Sequence, residues 1–95
     1  MYILSVTYVV EPTSDTHFRV YFRDEIRPMV EGREITLCRV LSERHEGHFT
    51  YSLQIPIENM SDYSVVKEAI EKGLIKYNFG ESVLHLATLM KREQI

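Results

Sequence analysis

Four segments of this chain have the alternation typical of β-strands, and two segments between them have helical spacing. Side chains of opposite character alternate along residues 2–10, 34–44, 48–57 and 82–90, and a period of two predicts strands. Apolar residues recur at spacings of three and four in residues 14–31 and 59–80, which predicts helices that bury one face. The predicted order of elements is β-α-β-β-α-β.

This order strongly restricts the fold. With right-handed crossovers it closes into a four-stranded antiparallel sheet that carries both helices on one face. We therefore expect an α+β fold of the ferredoxin-like sandwich type, in a single domain spanning residues 1–95. A chain of 95 residues buries only about two thirds of the surface that its unfolded form exposes. A partner chain would add to its stability.

Proline and glycine positions refine the two predicted helices. Pro28 falls near the end of the first helix, where its ring should clash with the carbonyl of Asp24 and bend or loosen the last turn. Gly32 should then end this helix. In the second helix, Gly73 weakens the interior and Gly80 marks the exit.

Composition and charge exclude several classes of protein. The net charge is −3, with both signs interspersed and no basic run, which disfavours binding to nucleic acid. The opening residues lack the features of a signal peptide, and no apolar run approaches the roughly 18 residues that span a bilayer, so no membrane partner is expected. Cys38 is the single cysteine and excludes an internal disulfide, which favours a cytoplasmic location.

Several short motifs, taken in order, resemble those of a family of short bacterial chains known as domain of unknown function 4286. They are Tyr2, Val6 and Thr7 in the first strand, "CRVL" at 38–41, "TYSLQ" at 50–54, Asp62-Tyr63, "FG" at 79–80, and Thr88. The resemblance implies a ferredoxin-like fold related to the dimeric α/β barrels, without an established activity. The family tends to carry His-x-Pro late in the first helix. Here Ile26 replaces that histidine, so no role that depends on it is transferred.

The stretch "HEGH" at 45–48 raises the question of a metal site. A zincin helix needs histidines four residues apart on one helical face, whereas His45 and His48 are three apart. Gly47 lies between two predicted strands, where a turn is needed and glycine readily adopts positive φ. Ligation by His45, Glu46 and His48 is the alternative, but a zinc site needs three or four convergent ligands. We predict a turn and no metal.

The two faces of the predicted sheet differ in character. The face predicted to lie under the helices carries Leu4, Val6, Tyr8, Leu37, Leu41, Tyr51, Leu53, Ile55, Leu84 and Leu86. The other carries Ile3, Ser5, Thr7, Val9, Thr36, Cys38, Val40, Thr50, Ser52, Gln54, Val83, His85, Ala87 and Leu89. Arg39 is the exception among the helix-facing positions, and we expect it to pass a helix end or to pair with Glu34, Glu43 or a helix carboxylate.

The second face predicts how the chain assembles. A sheet face open to water normally favours charged side chains, but this one combines small neutral groups with aliphatic ones. The simplest cover is the same face of a second copy in a two-fold homodimer whose sheets enclose a semi-polar space. The candidate ligand-binding residues in that space are Ser5, Thr7, Cys38, Ser52, Gln54 and His85. No cofactor is predicted.

Two kinds of function fit this pattern. A homodimeric binding or assembly module, with a small-molecule ligand as a further partner, is favoured because the sequence shows no complete set of nucleophile, base and orienting group. The alternative is a cofactor-free oxygenase or isomerase acting on a small aromatic or haem-like compound, with His85 as base. His85 bonded to a neighbouring hydroxyl and Cys38 as an inert strand residue are the simpler interpretations. A regulatory domain ranks last.

Overall fold

The computed structural model of the protein describes residues 1–41 and 47–94. The strands are β1 (Tyr2–Val10), β2 (Thr36–Val40), β3 (Phe49–Ile57) and β4 (Val83–Lys91). The first helix, α1, follows a 3-10 turn (Pro12–Ser14) and consists of an α-helical segment (Asp15–Tyr21), a π-helical turn (Phe22–Ile26) and a last α-helical turn (Arg27–Met29). The second helix, α2, is Met60–Lys76, and a second 3-10 turn (Gly80–Ser82) precedes β4.

The four strands form one antiparallel sheet in the order β2-β3-β1-β4. Each helix therefore connects two strands that follow one another in the sequence but are separated by another strand in the sheet, as expected for the ferredoxin-like β-α-β-β-α-β order. The predicted ferredoxin-like fold is confirmed. The two central strands are β1 and β3, and the two edges are β2 and β4.

Pro28 shapes the last part of α1 in the predicted manner. A proline at this position cannot donate a hydrogen bond to the carbonyl of Asp24. The helix widens just before it, and the amide of Arg27 donates to the carbonyl of Phe22, five residues back. Gly32 follows with φ of 84°, a value that a glycine adopts without strain.

The core lies between the helices and one face of the sheet, called here the helix face. Its centre is aromatic, since Tyr8, Phe18 and Tyr21 are almost completely buried and pack edge to face or tilted. The remaining core residues are Leu4, Val6, Val10, Phe22, Ile26, Val30, Tyr51, Leu53, Ile55, Ile57, Val66, Ile70, Leu74, Phe79 and Val83. Strands β1, β3 and β4 supply nine of these eighteen residues, and the apolar faces of the two helices supply seven.

Part of the region between β2 and β3 lies outside the described residues. The predicted strand 34–44 is described as β2 only over Thr36–Val40, and residues 42–44 are not described. His45 and Glu46 of the "HEGH" stretch also lie outside the described residues. Gly47 has φ of 81°, as expected of a glycine in a turn.

The predicted faces of β4 are wrong. Val83, His85, Ala87 and Leu89 pair with Val10, Tyr8, Val6 and Leu4 of β1. Directly paired residues share a face, so this set lies on the helix face, while Leu84 and Leu86 lie on the opposite one. The alternation correctly predicts a strand. However, β4 is an edge strand with apolar residues on both sides, and only its pairing with β1 shows which side faces the helices.

Candidate functional site

The sheet face opposite the helices, called here the open face, is organised in rows that run across the strands. The pairing of β2, β3, β1 and β4 aligns Thr36, Gln54, Ser5 and Thr88 in one row and Cys38, Ser52, Thr7 and Leu86 in the next. Residues directly opposite each other have Cβ atoms about 4.5 to 5.5 Å apart. Five of the six predicted ligand-binding residues therefore lie next to one another in two rows.

Apolar rows border this polar band on both sides. One consists of Val40, Thr50, Val9 and Leu84, and the other of Pro56, Ile3 and Met90. Leu84 and Leu86 expose 59% and 68% of their surfaces. In a monomer, these large apolar side chains would be in contact with water. No Asp, Glu, Lys, Arg or His occurs at any of the paired open-face positions of the described strands.

The polar side chains of the band have hydrogen-bonding capacity to spare. Within the described ranges, the side chains of Ser5, Thr7, Ser52 and Gln54 make no hydrogen bond to another protein group. Gln54 is exposed, and Ser5, Thr7 and Ser52 are partly exposed. Hydroxyl and amide groups both donate and accept. The band can therefore bind a neutral polar group from a ligand or from another chain.

His85 does not belong to this band. It lies opposite Tyr8 on the helix face, exposed at the β4 edge, where it lines a groove of about 490 Å³ between β4 and the end of α2. The prediction that placed it with Ser52 and Gln54 is wrong by one residue of strand register. A base for chemistry in a space above the open face would have to be a different residue, and a catalytic role for His85 elsewhere stays a prediction.

The band also contains residues that the sequence did not single out as site residues. Thr36 and Thr88 extend the row of Ser5 and Gln54 to both edges of the sheet. Thr88 could have been found only from the register of β4, since its position in the alternating pattern fits either face. Cys38 lies opposite Ser52 on the open face, as predicted, and it is exposed in the isolated chain.

The structure also bears on the predicted surroundings of Arg39 and on the question of a metal site. The guanidinium of Arg39 lies 4.0 Å from the centre of the Phe49 ring, a cation–π contact, and it forms no ion pair with Glu34 or with a helix carboxylate. Glu43, the remaining predicted partner, is outside the described residues. Among residues 1–41 and 47–94, no three His, Cys, Asp or Glu side chains converge in a way that could hold a metal ion.

Comparison with known proteins supports the fold. No family model and no curated protein matches the chain, so membership of the family suggested by the motifs stays a prediction. Among solved structures, the designed protein Foldit4 is similar with a TM-score of 0.71 and 9% identity, over 97% of this chain and 98% of that one.

Two natural proteins show the same architecture. A proposed antibiotic biosynthesis monooxygenase from Deinococcus radiodurans has a TM-score of 0.62 and 18% identity, over 100% of this chain and 95% of that one. A dimeric ferredoxin-like protein from an uncultured marine organism has a TM-score of 0.57 and 6% identity, over 99% and 98%. At these identities the likeness concerns the ferredoxin-like fold alone.

Neither helix of the described part of the chain combines the length and the apolar character that crossing a bilayer demands.

Proposed function

We propose that the protein is a homodimeric binding or assembly module in which two open faces meet and enclose a semi-polar space that holds a small ligand. The observation that carries this proposal is the composition of the open face: apolar rows on both sides of a band of hydroxyl, thiol and amide groups, without a charged residue. Such a face is unusual for a sheet that stays in contact with water.

A second copy of the chain suits this face better than an unrelated partner. In a two-fold dimer the same surface of both copies is used, so aliphatic side chains of the two open faces can meet, and none of the paired open-face positions would bury a charge. Leu84 and Leu86 on the β4 edge are the most exposed of the large apolar side chains at the paired open-face positions. A solved protein of the same fold is described as a dimeric ferredoxin-like protein, which supports assembly from two copies.

The size of the open face is close to what a dimer interface needs. Three strands of nine residues and one of five, at a strand spacing of about 4.8 Å and a rise of about 3.3 Å per residue, give a flat area on the order of 500 Å². The accessible surface of projecting side chains exceeds the flat area, and a standard interface buries about 800 Å² from each partner. The open face therefore approaches the area of a stable interface without help from the helices.

The polar band defines what the enclosed space can bind. Its free donors and acceptors are Ser5, Thr7, Ser52 and Gln54, with the thiol of Cys38 beside them, and they are neutral. A small neutral molecule with carbonyl or hydroxyl groups is favoured over an ion, because burying an unpaired charge there would cost several kcal/mol.

A matched pair of variants tests the assembly. Leu86→Lys places a charge on the open face, whereas Ile75→Lys places one on the outer surface of α2, where Ile75 is 78% exposed. Native mass spectrometry and sedimentation equilibrium should give twice the 11.2 kDa chain mass for the unmodified protein and for Ile75→Lys, and one chain mass for Leu86→Lys. Any small molecule retained by the dimer should be lost with it. If Leu86→Lys associates as tightly as Ile75→Lys, the open face is not the interface.

A further inference from the structure

A second groove lies on the other side of the sheet, between α1 and the edge strand β2. It has a volume of about 390 Å³ and is lined by Phe18, Arg19, Phe22, Arg23, Arg27, Ile35, Leu37 and Tyr51. This volume lies within the range of small-molecule sites. The groove exists because the helices cover the central strands and leave the helix face of β2 open, so that Leu37 remains 39% exposed.

Two aromatic rings lie beneath the groove. Phe18 stacks on Tyr51 with ring centres 5.1 Å apart. The hydroxyl of Tyr51 donates to Asp15 at 2.5 Å and accepts from Arg19 at 3.3 Å. Phe18 and Tyr51 expose only 1% and 5% of their surfaces, so the apolar surface that a ligand can contact comes mainly from Leu37, which is exposed, and Ile35, which is partly exposed.

Three arginines spaced four residues apart along α1 form one rim of the groove. Arg19 bonds to Asp15 and Arg23 bonds to Asp24, so these two carry charges that are partly balanced. Arg27 makes no hydrogen bond, ion pair or ring contact with any residue of the described ranges. Its planar guanidinium can accept a carboxylate or a phosphate through two parallel hydrogen bonds.

We propose that this groove is a binding site for a small amphipathic anion, whose aromatic or aliphatic body lies on Ile35 and Leu37 above the buried rings of Phe18 and Tyr51, and whose carboxylate or phosphate group binds Arg27. Charge complementarity is the basis for this choice. An apolar groove beside a guanidinium without a partner matches a ligand that has an apolar body and an anionic group. The polar band of the open face offers only neutral groups, and the site is independent of the proposed dimer.

The test uses a pair of probes that differ in charge. 2-Naphthoate carries an aromatic body and a carboxylate, and 2-naphthylmethanol carries the same body without charge. Amide chemical shifts of the 15N-labelled protein should change with 2-naphthoate at residues of α1 and β2 that line the groove. Added salt should weaken the binding, since the contact with Arg27 is electrostatic.

Variants assign the charge contact to Arg27. Arg27→Ala should weaken 2-naphthoate binding by about 10- to 100-fold, as expected for a charge-assisted hydrogen-bonded pair. Arg27→Lys should give an intermediate loss, because it keeps the charge without the two-pronged geometry. Arg92→Ala removes an exposed arginine near the carboxyl end of β4 and should leave the affinity unchanged.

Three results would overturn the proposal: equal affinities of Arg27→Ala and Arg92→Ala, equal binding of the two probes, or shift changes centred on Leu84 and Leu86 of the open face. The dimer is tested separately by the mass of Leu86→Lys. The failure of one proposal is therefore distinguishable from the failure of the other.

Discussion

At the scale of single residues, Tyr21 connects the sheet to both helices. Its hydroxyl donates to the carbonyl of Ile70 at 3.3 Å and lies 3.3 Å from the hydroxyl of Tyr8. The ring is fully buried, and burial raises the pKa of Tyr21 to about 12. Burial, followed by the nearby Tyr21, also raises the pKa of Tyr8 well above its ordinary value. Both phenols are therefore neutral over a wide pH range.

These two pKa values predict a loss of stability at alkaline pH. Below about pH 10, the ordinary pKa of tyrosine, both states hold the phenol protons and the stabilisation is complete. As the pH rises from about 10 through the raised pKa values, the unfolded chain releases these protons first, so the free energy of unfolding falls. Urea unfolding followed between pH 8 and 12 should show this decrease.

Substitution of Tyr21 checks the source of the decrease. Tyr21→Phe should reduce the alkaline slope and cost about 1 kcal/mol near neutral pH, because it removes the hydrogen bond to Ile70. Tyr2→Phe is the control, since the Tyr2 hydroxyl has no hydrogen-bond partner within the described residues. An unchanged slope in Tyr21→Phe would mean that Tyr21 does not titrate in this range.

At the scale of secondary-structure elements, helix α2 contains Gly73 at a position where the ring of Tyr21 leaves no room for a side chain. A Cβ atom at Gly73 would lie 2.8 Å from Cε1 of Tyr21, closer than real Cβ contacts. The Tyr21 ring is held by its hydrogen bonds and by the core, so it cannot move away easily. The glycine that weakens the helix by sequence criteria thus permits the close packing of α2 on α1.

Gly73→Ala should therefore destabilise the protein although alanine favours helices. The helix preference for alanine is worth up to about 1 kcal/mol, whereas overpacking a core typically costs about 1 to 3 kcal/mol. We expect a net loss in the free energy of unfolding, measured by urea denaturation. Ser64→Ala, at an exposed position of the same helix, should be neutral or stabilising. A Gly73→Ala variant more stable than the unmodified protein would show that the Tyr21 ring moves to make room for the methyl group.

The sequence predicted the elements better than their orientation. Periodicity located all four strands and both helices, and Pro28 indicated the irregular last part of α1. The prediction of which β4 side chains face the helices is wrong because Val83, Ala87 and Leu89 are as apolar as Leu84 and Leu86, so the pattern fits either face. A shift of one residue reverses every side chain, and for that reason His85 was placed with Ser52 on the wrong side.

At the scale of the whole molecule, one face of the sheet packs against the two helices and the other face is open. The open face was predicted as a set from the small neutral residues of β1, β2 and β3, and the corrected β4 adds Leu84 and Leu86 to it. The arginine groove could not be predicted, because it depends on the distance between α1 and β2. Helical spacing aligns Arg19, Arg23 and Arg27, but it says nothing about the aromatic rings beneath the groove.

The single cysteine provides the most direct measurement of whether the open face is covered. Cys38 is exposed in the isolated chain and lies beside Ser52. Its rate of reaction with a thiol reagent such as 5,5′-dithiobis(2-nitrobenzoate) should fall as protein concentration rises and dimers form. In Leu86→Lys the rate should be high at every concentration. A rate that is independent of concentration, and equal in the unmodified protein and in Leu86→Lys, would contradict the meeting of two open faces.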